Sequence, residues 1–142
     1  MLSVREEKKQ QYKRYNSLKF VFFCSVPPRL SSIAPIEVNF DAQNPQRVSF
    51  QCRIERGSAD SLSVEWQYLN HTVIQSRPGL TVDKSQLETN KFIELRFDPV
   101  LREHFGNYSC VAKNLADSTY SIASLLIQCN YTPNRRQFSI SY

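Results

Sequence analysis

Residues 93–114 read Ile93-Glu94-Leu95-Arg96-Phe97-Asp98-Pro99-Val100-Leu101-Arg102-Glu103-His104-Phe105-Gly106-Asn107-Tyr108-Ser109-Cys110-Val111-Ala112-Lys113-Asn114. Apolar residues at 93, 95 and 97 alternate with charged ones, and Tyr108, Cys110 and Ala112 alternate in the same way after a break. A period of two puts alternate side chains on opposite faces of an extended chain, so each run is predicted to be a strand with one buried face. Asp98-Pro99 and the residues around Gly106 interrupt the period, which predicts two strands joined by a corner.

The same alternation extends in both directions. Val48, Phe50, Cys52 and Ile54 form one run, Val64, Trp66 and Tyr68 another, and Ala123, Leu125 and Ile127 a last one. Between them lie Arg56-Gly57-Ser58-Ala59-Asp60-Ser61, Ser76-Arg77-Pro78-Gly79 and Leu115-Ala116-Asp117-Ser118, all rich in turn-forming residues. Many short strands without a helical interlude predict an all-β fold of two packed antiparallel sheets. Cys52, Trp66 and Cys110 all take the inward parity of their strands.

The run Leu95-x-Phe97-x-x-Val100-x-x-x-His104-x-Gly106-x-Tyr108-x-Cys110-x-Ala112-x-Asn114 resembles the strand E to strand F signature of intermediate-set (I-set) immunoglobulin domains, found in cell-adhesion molecules, axon-guidance receptors and muscle giants. The resemblance covers about residues 27–129, with Pro27-Pro28 as the opening of strand A and Ala123-x-Leu125-x-Ile127 as strand G. It implies an immunoglobulin-like β-sandwich in which Trp66 packs on an inter-sheet disulfide between Cys52 and Cys110, with Leu95 and Gly106 as structural positions. Tyr108, two residues before Cys110, is placed for the tyrosine corner. Two positions depart from the pattern. His104 stands where the family usually has an Asp that pairs with Arg, and Asp117 stands where a turn Gly is common.

The chain has 142 residues and a formal charge of +5, but the charge is unevenly distributed. Residues 1–19 hold six basic residues against Glu6 and Glu7, Arg135 and Arg136 lie in 130–142, and residues 20–129 are balanced to within one charge. The domain reading is therefore a basic lead over 1–26 with a weak signal-like apolar segment, an immunoglobulin-like domain over 27–129, and a polar tail over 130–142. The run Phe20–Val26 follows basic residues in the order of a secretory signal, but its lead is long and Lys19 interrupts it. That run is also far short of the roughly 20 residues that cross a bilayer, so membrane association is expected only through segments outside this chain. Nucleic-acid binding is not expected, because the folded part lacks basic character and the tails lack regularly spaced aromatics.

No catalytic residue can be nominated. Three Gly and two His leave no glycine-rich phosphate loop and no His-built metal set, and kinase motifs are lacking. Both His71 and His104 are expected on the surface, and no cofactor or metal is expected. Cys24 and Cys129 do not make a zinc set, and the resemblance places them at opposite poles, too far apart to bridge. Cys129 is expected to be a free thiol. Asn70-His71-Thr72, Asn107-Tyr108-Ser109 and Asn130-Tyr131-Thr132 are N-glycosylation sequons. Asn70 is expected in a turn and Asn107 on the outward side of its strand. Val111, Ile122 and Leu126 have the wrong parity for the core and are expected together on the exposed G-F-C face, with Leu69 at its margin, as a candidate binding face.

The resemblance implies a non-catalytic module of a cell-surface or secreted protein, acting in adhesion or receptor–ligand binding with a protein partner, homophilic or heterophilic. The alternative is an intracellular sarcomeric or actin-associated domain with reduced cysteines. An enzyme or a receptor-kinase ectodomain would depend on segments outside this chain.

Overall fold

The computed structural model describes residues 25–128; Cys24, Cys129 and Asn130 lie outside this range. Eight strands follow in order: β1 (Arg29–Leu30), β2 (Ile36–Val38), β3 (Val48–Arg56), β4 (Ser63–Tyr68), β5 (Leu80–Asp83), β6 (Phe92–Phe97), β7 (Gly106–Lys113) and β8 (Ser118–Ile127). A one-turn helix, α1 (Leu87–Asn90), precedes β6, and a 3-10 turn (Arg102–His104) precedes β7. The strands form two four-stranded sheets, β1-β3-β6-β5 and β2-β8-β7-β4. All pairings are antiparallel except β2 with β8, which run parallel from Ile36↔Leu125 to Val38↔Ile127.

The predicted alternation becomes the contact between the sheets. Phe50, Cys52, Ile93, Leu95 and Phe97 face Val64, Trp66, Tyr108, Cys110, Ala112, Ala123 and Leu125, all buried. Each large side chain of this kind contributes roughly 1.5–3 kcal/mol when it leaves water. Cys52 on β3 and Cys110 on β7 form a disulfide across the sheets, with Cα atoms 6.3 Å apart. Trp66 lies directly opposite Cys110 in the β4–β7 ladder.

Four details were not expected from the sequence. β2, β5 and the two short helical turns are too brief to show a period. The first strand is split. Ser31 passes between the sheets, its N–H donating to Arg53 of β3 at 3.0 Å and its carbonyl accepting from the Ser121 hydroxyl of β8 at 3.1 Å. Ile127, expected inward, is 48% exposed, because it is the last residue of β8 and projects past the core. His104, expected on the surface, is 1% exposed.

The 3-10 turn carries His104 inward, beneath the corner between β6 and β7. Its Nδ1 accepts the Leu101 N–H at 2.9 Å, and its ring centroid lies 5.1 Å from that of Phe97. Its carbonyl accepts the Tyr108 hydroxyl, which completes the corner from the other side. Burial pushes the Tyr108 phenol up to about 12. Gly106 opens β7 at φ +144, a backbone region that side chains disfavour.

Burial also holds the His104 imidazole below its ordinary pKa, with Glu103 opposing the shift and Arg77 reinforcing it. A group neutral in the fold but protonated in the unfolded chain makes the unfolded state bind more protons. Stability from this residue is therefore complete above the unfolded value near 6.5 and declines as pH falls through it toward the lower folded value. Urea melts at pH 7.5 and 5.5 should show a lower midpoint at 5.5, and His104→Gln should reduce that difference. An unchanged difference would assign it to other groups.

Candidate functional site

The outer faces of the two sheets differ in chemistry. On β1-β3-β6-β5 the outward side chains are mainly charged. Arg29 pairs with Glu55 at 3.2 Å, Arg96 with Glu94 at 2.7 Å and with Asp83 at 3.6 Å, and the Arg53 guanidinium lies 5.2 Å from the Phe92 ring centroid. Surface ion pairs of this kind, with Glu94 half-buried and the others more exposed, add about 1 kcal/mol or less each.

The outward row of β7 is Asn107, Ser109, Val111 and Lys113, and that of β8 is Ser118, Tyr120, Ile122, Ser124 and Leu126. Val111 lies opposite Tyr120 and Ser109 opposite Ile122. With Gln67, Leu69 and His71 these residues line a shallow depression of about 380 Å³. Tyr120 is 69% exposed, Leu69 56% and Ile122 38%. The depression contains no carboxylate and no Lys or Arg.

Of the three candidate face residues, Val111 and Ile122 meet at this depression and Leu126 does not. Leu126 is exposed on the same face, in register with Glu37 of β2. Between it and Ile122 stands Ser124, whose hydroxyl donates to Asn107 Oδ1 at 2.6 Å. Tyr120, the most exposed aromatic of the patch, was not expected there from the sequence. Its parity, two residues before Ile122, was the available signal.

The acceptor asparagines of the two described sequons, Asn70 and Asn107, are both exposed. Asn70 lies in the turn after β4, where its Oδ1 accepts the Thr72 N–H at 3.1 Å. Asn107 lies on β7, facing outward. Asn114, buried at one pole, ties three segments together: its Nδ2 donates to the Val26 and Ser58 carbonyls, and its Oδ1 accepts the Ala116 and Asp117 N–H groups. The Asn114 N–H also bonds the Asp117 carbonyl at 3.0 Å, and the Asp117 carboxylate accepts the Ser118 N–H at 2.8 Å. These bonds close the β7–β8 turn without a glycine.

His104 has its Nδ1 committed to the backbone, and His71 lies exposed in the turn after β4. Among the described residues, no three His, Cys, Asp or Glu side chains group to hold a metal ion, and no helix is long and apolar enough to cross a membrane.

A family model described as immunoglobulin domain matches residues 27–114. No curated protein matches the chain. Among solved structures, it is similar to the Ig7 domain of Dscam1, isoform 5, at 20% identity and a TM-score of 0.56, covering 71% of this chain and 96% of that one. It is also similar to the complex of titin M10 with the obscurin-like 1 Ig domain, at 19% identity and a TM-score of 0.58, covering 73% and 95%. Titin domains A168–A170 match at 15% identity and 0.58, covering 72% of this chain and 32% of that one. Identities of this order show the fold alone.

Proposed function

The chain belongs to the immunoglobulin domain family, and from that premise we propose that it is a non-catalytic protein-recognition module of a cell-surface or secreted protein. Residues 27–129 form the recognition unit, between a basic lead over 1–26 and a polar tail over 130–142. The β4–β7–β8 face is the contact surface. One observation carries this assignment: an uncharged depression with exposed Tyr120, Ile122 and Leu69 lies back to back with a sheet whose outer face is charged. Apolar and aromatic groups clustered on an exposed face suit a protein contact, in which desolvation is favourable. An extracellular setting is supported by the pairing of Cys52 with Cys110 and by the exposed acceptor asparagines Asn70 and Asn107.

The test uses the chain expressed in a eukaryotic secretory host, with a photo-crosslinking phenylalanine at Tyr120 or, on the opposite sheet, at Gln51. Presented to intact cells, the Tyr120 probe should give adducts of defined mass and the Gln51 probe should not. Equal or diffuse labelling from both positions would sink the assignment of the face. In the same preparation, Cys52 and Cys110 should resist alkylation until reduced. Retained, unglycosylated protein with all cysteines alkylated and the fold intact would favour the intracellular reading instead.

A further inference from the structure

We propose that Asn107 carries an N-linked glycan that stands over the β4–β7–β8 face, so that occupancy of this one strand residue sets how much of the face a protein partner can reach. The inference rests on the secretory part of the proposed function and adds a regulator to the same surface.

Asn107-Tyr108-Ser109 is an acceptor sequon, yet its middle residue is a buried core tyrosine. The strand's alternation resolves this. Tyr108 points inward while Asn107 points outward and is exposed. In the reaction, Asn107 Nδ2 attacks the first sugar carbon of an oligosaccharide carried on a lipid pyrophosphate. The N–C bond forms, the sugar–phosphate bond breaks, one amide proton is lost and the lipid pyrophosphate leaves. The acceptor must be free of the sheet at that moment. Tyr108 and Ser109 pair with Tyr68 and Gln67 of the earlier β4, but Asn107 itself pairs with Ser124 of β8, which follows it in the chain, so the acceptor precedes its own register partner during synthesis.

Once the sheet has formed, the glycan's position follows from one hydrogen bond. The Ser124 hydroxyl donates to Asn107 Oδ1 at 2.6 Å, which occupies the carbonyl oxygen and leaves Nδ2 as the free end. Glycosylation consumes one Nδ2 proton and leaves this bond intact; because Oδ1 faces Ser124, Nδ2 and the first sugar leave Asn107 on the side away from it, on the same outward face as Ser124. Ile122 and Leu126 are the next outward residues on either side, each roughly 6.6 Å along the strand at about 3.3 Å per residue. Both are exposed, at 38% and 40%. A branched glycan rooted at Asn107 therefore rises from the same face, one strand over from the two apolar side chains that flank Ser124 and within reach of both.

The experiment compares secreted wild-type protein with Asn107→Gln, Ser109→Ala and Asn70→Gln. Ser109→Ala removes the sequon while keeping the Asn107–Ser124 bond, which separates loss of the glycan from loss of the amide contact. Site occupancy is read by mass spectrometry after enzymatic deglycosylation in ¹⁸O-water, and the face is read by hydroxyl-radical labelling of Ile122 and Leu126. Asn107 should be tagged with ¹⁸O. Labelling of both apolar residues should rise several-fold in Asn107→Gln and Ser109→Ala and stay at the wild-type level in Asn70→Gln. An occupied Asn70 with an empty Asn107 overturns this inference alone, as does an occupied Asn107 with labelling equal in all variants. No glycan at either site, with reduced cysteines, overturns the secretory reading as well. Occupied Asn107 with a masked face, but no crosslinks from Tyr120 even in Asn107→Gln, supports the glycan and removes the protein-contact reading.

Discussion

Replacing Cys52 and Cys110 together by alanine should lower the unfolding free energy by about 4 kcal/mol. The two residues are 58 apart in sequence, and closing a loop of that length removes much of the unfolded chain's freedom. Both side chains are fully buried between the sheets, so the double substitution also leaves a small void. Changing both residues avoids stranding a reactive thiol in the core. For a domain whose net stability is of order 5–15 kcal/mol, the loss is a large share. Urea denaturation of the oxidised wild type and the double variant measures it directly. A difference below about 1 kcal/mol would mean that packing alone holds the sheets together, and that the fold does not depend on an oxidising compartment.

Trp66→Ala is expected to cost about 3–5 kcal/mol. Trp66 is 1% exposed, stands opposite Cys110 in the β4–β7 ladder, and is the largest fully buried side chain. Its removal opens a cavity that flanking strands joined by ladder bonds cannot close. The indole carries a second, opposing effect, because its Nε1–H is buried without a hydrogen-bond partner. An unpartnered buried donor costs about 1–3 kcal/mol. Trp66→Phe loses part of the volume and removes this orphaned donor, so it should cost less than half as much as Trp66→Ala. Urea midpoints of the two variants at constant slope decide the matter. Equal losses would show that shape complementarity of the indole outweighs its unsatisfied N–H.

The framework that makes these predictions possible was legible in the sequence because it rests on a local property. Alternation at 48–54, 64–68, 93–97, 108–112 and 123–125 assigns the inward side chains of five strands, and each is buried or half-buried there. The run from Leu95 to Asn114 carried the family resemblance, and the family model spans it. The outward parity of Val111, Ile122 and Asn107 was readable for the same reason.

What lay beyond reach depends on which strands meet. His104 shows no period of its own, and a three-residue turn brings it against Phe97 and Tyr108. Parity alone could not tell that Tyr120 stands opposite Val111, nor that the Ser124–Asn107 bond separates Leu126 from Ile122. Strand β2 holds three residues and pairs in parallel with a strand almost 90 residues away, a contact invisible to any local window. By itself the sequence determined which side of each strand is apolar, because successive side chains on an extended backbone point in opposite directions. Only the tertiary structure decided which outward residues share a surface, because register between strands distant in sequence is set by how the buried faces pack.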